Sequence, residues 1–81
     1  MTPTARDVIR LVKQIEPLLA GQPRQLQGAV LADLLAIWLA GHYVEGDQAA
    51  TTELRAELLK HHLETVDRLV PVNEKMMGLN E

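Results

Sequence analysis

The stretch from Leu26 to Val44 constrains this chain most, because it is apolar on nearly every side if it is helical. At about 100° per residue, large aliphatic side chains and Trp38 cover more than half of its circumference. Most of the remainder is a ridge of small residues, Gly28, Ala32 and Ala36 among them, which allows another helix to approach closely. Such a helix needs cover on three or four sides. The rest of an 81-residue chain supplies only two long helices, so we expect a second copy to complete the cover.

The same stretch is almost long enough to cross a membrane, but Asp33 lies near its centre. A carboxylate in the middle of a bilayer costs about 2.5–3.5 kcal/mol, and the stretch lacks a flanking basic cluster. We therefore expect no membrane association. The first ten residues lack the basic segment and apolar run of a secretory signal, so the cytoplasm is the expected location.

Apolar residues recur at helical spacing, and no alternating β-branched run predicts a strand. The predicted fold is all-α, a single domain over 1–81. It has three helices at about 4–20, 23–42 and 48–70 and a C-terminal tail or helical turn. Homodimerisation is expected to complete an antiparallel bundle. Thr4 with Asp7, and Asp47, are the expected N-terminal caps. Pro17 should kink or break the first helix, and Pro71 should end or kink the third.

The composition excludes several classes of function. The chain contains neither cysteine nor serine, which rules out disulfides, thiolate metal sites and nucleophilic catalysis by either side chain. The formal net charge of −3 disfavours nucleic-acid binding, which requires a positive surface. From residue 45 onward the chain has four basic and eight acidic residues, so this half is predicted to be mostly solvated surface.

Asp33 is the only charged residue in the apolar stretch from Leu26 to Val44. It could be a functional carboxylate with a raised pKa, but pairing with a cation across helices is the simpler interpretation. Arg55 and His62 are the candidate partners, because they lie seven residues apart on the inward face of the third helix. These three residues are the predicted buried polar positions.

The histidines allow a metal-site hypothesis, because imidazole and carboxylate groups recur at short helical spacing. The candidate ligands are His42, Glu45, Asp47, His61, His62 and Glu64. However, the order of acid and histidine is reversed relative to di-iron helical bundles. The simpler interpretation places His42 at a helix end and His61 among surface acids, including Glu57.

Three basic residues, Arg6, Arg10 and Lys13, lie on the face of the first helix opposite its apolar stripe, and Arg24 follows nearby. They form either a surface for an acidic protein partner or an ordinary solvated face. No aromatic side chains or glycine-rich loop accompany them, which weakens a phosphate-binding interpretation.

These observations predict a small non-catalytic helical homodimer that acts as a protein-interaction or regulatory module, without a cofactor. No phosphate-binding loop, strong metal motif or nucleophile with an evident base points to an enzyme. The alternative is a small-ligand or metal-binding bundle that uses the His, Glu and Asp residues. A DNA-binding regulator is the third hypothesis, and the net charge argues against it.

Overall fold

The computed structural model describes residues 2–79, which contain three α-helices and no strand. The helices are α1 (Ala5–Leu19), α2 (Arg24–Ala40) and α3 (Gln48–Met76). The all-α, three-helix prediction is therefore confirmed. Residues 80 and 81 of the predicted tail lie outside the described residues.

Helix α1 begins at the predicted capping box. The Asp7 backbone N–H donates to Thr4 Oγ1 at 3.2 Å, and the Asp7 carboxylate accepts the Thr4 backbone N–H at 3.0 Å. The helix is strongly amphipathic and runs through Pro17 to Leu19, so Pro17 does not break it. Proline lacks one hydrogen-bond donor, and the bond that closes the helix, from Ala20 N to the Glu16 carbonyl, is intact at 2.9 Å. Gly21, in the left-handed region at φ 80°, then turns the chain.

Helix α2 is apolar on nearly every side, as its sequence predicts, and it ends at Ala40 just before Gly41. Helix α3 begins at the predicted cap, where the Ala50 backbone N–H donates to Asp47 Oδ1 at 2.9 Å. The prediction that Pro71 ends this helix is wrong, because α3 continues to Met76. A single missing N–H removes one bond from the helix, while the residues on either side keep theirs.

The chain forms two compact units, the first ending at Leu34 and the second beginning at Leu35, within α2. In the first unit, Gln27 Nε2 donates to the Leu19 carbonyl at 2.7 Å, so a side chain of α2 satisfies a carbonyl at the end of α1. The second unit contains the last residues of α2, the connection and α3. Among residues 2–79, no helix combines the length and hydropathy needed to span a membrane.

Neither unit encloses an apolar core. Within residues 2–79, Thr51 alone is buried, at 4% exposure, and no hydrophobic side chain is buried. Large apolar side chains remain exposed on all three helices, from 36% at Val30 to 75% at Met76. A chain that is 47% hydrophobic therefore leaves its apolar faces open.

Candidate functional site

The densest group of polar interactions lies where the chain passes from α2 to α3. Arg55, half-buried on α3, donates from Nε to the carbonyl oxygens of Leu39 and His42, both at 3.0 Å. Its Nη2 donates to the Ala40 carbonyl at 3.1 Å. Leu39 and Ala40 are the last two residues of α2 and His42 follows it, so these carbonyls lie at the negative end of the helix, where a cation is favourable. The Leu39 carbonyl also accepts the His42 backbone N–H at 3.0 Å. Arg55 is thus a C-terminal cap for α2.

Thr51, in the first turn of α3 and one turn before Arg55, also bonds to the connection between α2 and α3. Its Oγ1 accepts the Val44 backbone N–H at 2.9 Å. The hydroxyl also lies 2.9 Å from the Asp47 carbonyl and 3.2 Å from the Val44 carbonyl, and its single hydrogen serves one of them at a time. Buried polar groups of this kind hold a loop in one conformation.

An open cavity of about 380 Å³ lies beside this connection. Its lining includes Tyr43, Glu45, Asp47, Thr51 and Arg55. Thr51 and Arg55 direct their polar groups to backbone atoms, and Asp47 caps α3. The cavity therefore has a mixed polar and apolar lining, in which three of the polar side chains already have structural partners, and it contains no nucleophile with an adjacent base.

Trp38, the only tryptophan, is flanked by two of the metal candidates. The ring of His42 meets the indole edge to face at 5.2 Å between centroids, and that of His62 lies tilted at 5.7 Å. His42 Nδ1 is 2.7 Å from the Trp38 carbonyl, which fits the predicted capping role at the end of α2. Both imidazoles thus pack against an aromatic ring.

His61 projects from the exposed side of α3 between two acids. Its Nε2 is 3.6 Å from Glu57 and its Nδ1 is 3.7 Å from Glu64, with all three side chains more than half exposed. This matches the interpretation of His61 as a surface residue among acids. Within the described residues 2–79, no three His, Asp or Glu side chains come together as metal ligands.

The predicted buried polar residues differ in their surroundings. Asp33 is exposed in the single chain, whereas Arg55 and His62 are half-buried. The guanidinium of Arg55 is directed to the three carbonyls of the α2 end. A bond between Asp33 and Arg55 of two copies stays a prediction.

The predicted basic residues Arg6, Arg10, Lys13 and Arg24 are all exposed. Arg10 lies 3.7 Å from Asp7, in a surface pair that contributes little to stability. The positive face of α1 is therefore open to solvent and to any acidic partner.

A second open cavity, of about 420 Å³, lies along the C-terminal half of α3. Its lining is mainly apolar and comprises Val66, Leu69, Val70, Asn73, Glu74 and Met77. Sequence reasoning missed this surface because it placed the end of the helix at Pro71. The signal was present in the apolar spacing, which continues past the proline to Met76 and Met77.

The roles of Thr51 and Arg55 as backbone caps were also missed. The one signal in the sequence was the Asp47 cap four residues before Thr51, since a threonine at that spacing can hydrogen-bond to the backbone of the preceding loop. Comparison with protein families, with characterised proteins and with solved structures gives no match. A functional proposal therefore rests on the geometry of this chain.

Proposed function

We propose that this protein is a non-catalytic helical homodimer of the cytoplasm that acts as a protein-interaction module. One observation carries the proposal: apolar faces on three well-formed helices lie open in the single chain. Exposed apolar patches of this extent are characteristic of association surfaces.

The exposed apolar side chains supply area for such an interface. Each unit leaves large apolar side chains at half exposure or more: Ile9 at 50% and Leu18 at 73% in the first unit, Ile37 at 61% and Leu63 at 52% in the second. Burial of side chains of this kind stabilises permanent dimers, whose interfaces cover about 2,000–5,000 Å² in total over both partners.

Helices α2 and α3 are proposed to supply the dimer interface, completing an antiparallel bundle. On α2 the exposed positions include Leu31 at 53% and Ile37 at 61%, and the helix has no polar face to leave in water. Symmetric association of two copies would cover such a helix on the sides that one chain leaves open.

The basic face of α1 is the proposed surface for another protein. Arg6, Arg10 and Lys13 point away from the apolar stripe of that helix, so dimerisation through apolar faces leaves them available. Their charge would attract an acidic segment and give salt-dependent binding.

The mass in solution tests the dimer. Light scattering after size exclusion, with native mass spectrometry, is expected to give twice the 9.0 kDa chain mass with no retained metal or ligand. A monomer at all concentrations would overturn the proposal. A retained metal or small molecule would instead favour the binding-bundle alternative.

Charge reversal tests the basic face. Arg10→Glu with Lys13→Glu is expected to abolish salt-sensitive binding to polyglutamate, used as an acidic probe. The matched control reverses Lys60 and Lys75, two exposed lysines of α3, and is expected to leave binding unchanged. Equal losses in both variants would assign the effect to net charge and not to α1.

A further inference from the structure

The C-terminal half of α3 repeats with a period of seven residues. Val66, Leu69, Asn73 and Met76 follow one another at spacings of three, four and three, the pattern that places side chains along one edge of a helix. We call these four residues the α3 seam. The spacing is that of a two-stranded coiled coil.

Between residues 60 and 76, no charged residue lies on the side of the helix that carries the α3 seam. The charged residues of this segment all project from the opposite half of the helix: Lys60, Glu64, Asp67, Arg68, Glu74 and Lys75. Pro71 lies in the middle of that charged half. Two copies could therefore meet along the seam without bringing like charges together, and the missing proline N–H faces away from it.

The α3 seam is open in the single chain. Val66 is 41% exposed, Leu69 48% and Met76 75%, and the seam borders the cavity of about 420 Å³. Val70 and Met77 lie beside the seam at 50% and 65% exposure. These side chains would widen the apolar contact if a second helix packed there.

Asn73 is the one polar residue of the α3 seam. Its Nδ2 donates one hydrogen to the Leu69 carbonyl at 3.0 Å, its only side-chain bond within residues 2–79. The second amide hydrogen and Oδ1 are thus available to another amide. A single asparagine in a coiled-coil core sets register and chain number, because only in-register pairing satisfies both amides.

We propose that the α3 seam pairs in parallel with the same segment of a second copy, so that the two Asn73 side chains meet. The proposal rests on the proposed dimer and specifies one contact in it: the two α3 helices run parallel to each other, and the antiparallel neighbours in the bundle are the other helix pairs. Val66 and Asn73 occupy one core position of the repeat, and Leu69 and Met76 occupy the other. A β-branched residue at the first position with leucine at the second, as in Val66 and Leu69, favours a parallel pair of helices. The charge-free α3 seam and the second hydrogen of the Asn73 amide favour a second copy of the same segment as the occupant.

Single-cysteine cross-linking tests the pairing directly, because the chain has no native cysteine. Val66→Cys and Asn73→Cys are expected to form disulfide-linked dimers under mild oxidation, with loss of most of the monomer band. In a parallel pair these positions face their own copies at a separation that a disulfide can bridge. The matched controls, Arg68→Cys and Lys75→Cys on the charged half, are expected to stay monomeric on denaturing gels.

The outcomes separate this proposal from the proposed function. If the wild-type protein is a dimer but neither seam cysteine cross-links, or all four positions react equally, the parallel α3 pairing is wrong and the dimer stands. Cross-linking only in mixtures of Leu69→Cys with Asn73→Cys would reveal an antiparallel pair and also overturn it. A monomeric wild-type protein would overturn both. Circular dichroism checks that each variant keeps its helices, and Leu69→Cys replaces a seam variant that fails to fold.

Discussion

Thr51 and Arg55 hold the passage from α2 to α3 through bonds from their side chains to the backbone. Thr51 is the one buried residue of the described chain, and Arg55 satisfies three carbonyls at once. Their shared property is that they replace missing backbone partners at a helix end and a loop. The local conformation therefore depends on two side chains four residues apart.

Replacing Thr51 with valine is expected to lower the free energy of unfolding by about 1–3 kcal/mol. Valine keeps the shape but leaves the part-buried Val44 N–H without its acceptor. Urea denaturation measures the change. The control is Thr52→Val, because the Thr52 hydroxyl is exposed and bonds only within its own helix, to the Gln48 carbonyl. Equal effects of the two substitutions would contradict the assigned role of Thr51.

Asp7 is expected to make the stability of α1 depend on pH. Hydrogen bonds from the Thr4 backbone N–H, and then from its hydroxyl, lower the pKa of Asp7 below its usual value of about 3.9. A carboxyl whose pKa is lower when folded stabilises the fold above its unfolded pKa, and this contribution is lost as pH falls through the folded pKa.

The comparison of wild type with Asp7→Asn measures this contribution. Thermal unfolding followed by circular dichroism is expected to show wild type as the more stable at about pH 6, with the difference shrinking as the pH falls below about 3.9. Asp67→Asn, on the exposed side of α3, serves as the control. A difference that is constant with pH would refute the capping role of the Asp7 carboxylate.

Helix α3 continues through Pro71, a residue type that usually ends or kinks a helix. Its 29 residues continue past Pro71, although a proline in a helix interior costs about 3 kcal/mol. The N-terminal caps of α1 and α3 were predictable because each depends on residues within three positions of one another. The end of α3 was not, because local signals alone do not decide whether a helix continues past a proline.

Pro71→Ala is expected to stabilise the protein by about 1–3 kcal/mol and to raise its helix content. Alanine restores the backbone donor to the Asp67 carbonyl and has the highest helix propensity. Chemical denaturation and circular dichroism measure the two effects. Pro3→Ala, before the first helix, is the control and should change stability little. A loss of stability in Pro71→Ala would contradict this prediction, because it would mean that the proline stabilises α3.

At the scale of the whole molecule, the proposed dimer would couple folding to association. If two chains fold together, the unfolding temperature must rise with protein concentration, because the dimer is favoured by mass action. We expect a measurable rise between dilute and concentrated samples by differential scanning calorimetry. The disruptive double variant Val66→Asp with Leu69→Asp should lower the unfolding temperature more than Arg68→Asp. An unfolding temperature independent of concentration would contradict a dimer that folds as it assembles.

The candidate sites were predictable to different degrees. The positions of His42 at a helix end and His61 between Glu57 and Glu64 follow from helical spacing alone, and the structure has them there. The contacts of Arg55 do not follow from spacing, because its partners lie 13 to 16 residues away in the chain. The burial predicted for Asp33 assumed neighbours on every side of α2, which one chain does not provide.

The sequence by itself determined three helices, their N-terminal caps and an apolar middle helix, because each depends on residues within a few positions of one another. Only the tertiary structure decided that Arg55 caps α2 and that the apolar faces stay open in a single chain. These features depend on which distant groups meet and on how much surface they cover. Periodicity identifies the face of a helix that must be covered, and packing decides whether its own chain can cover it.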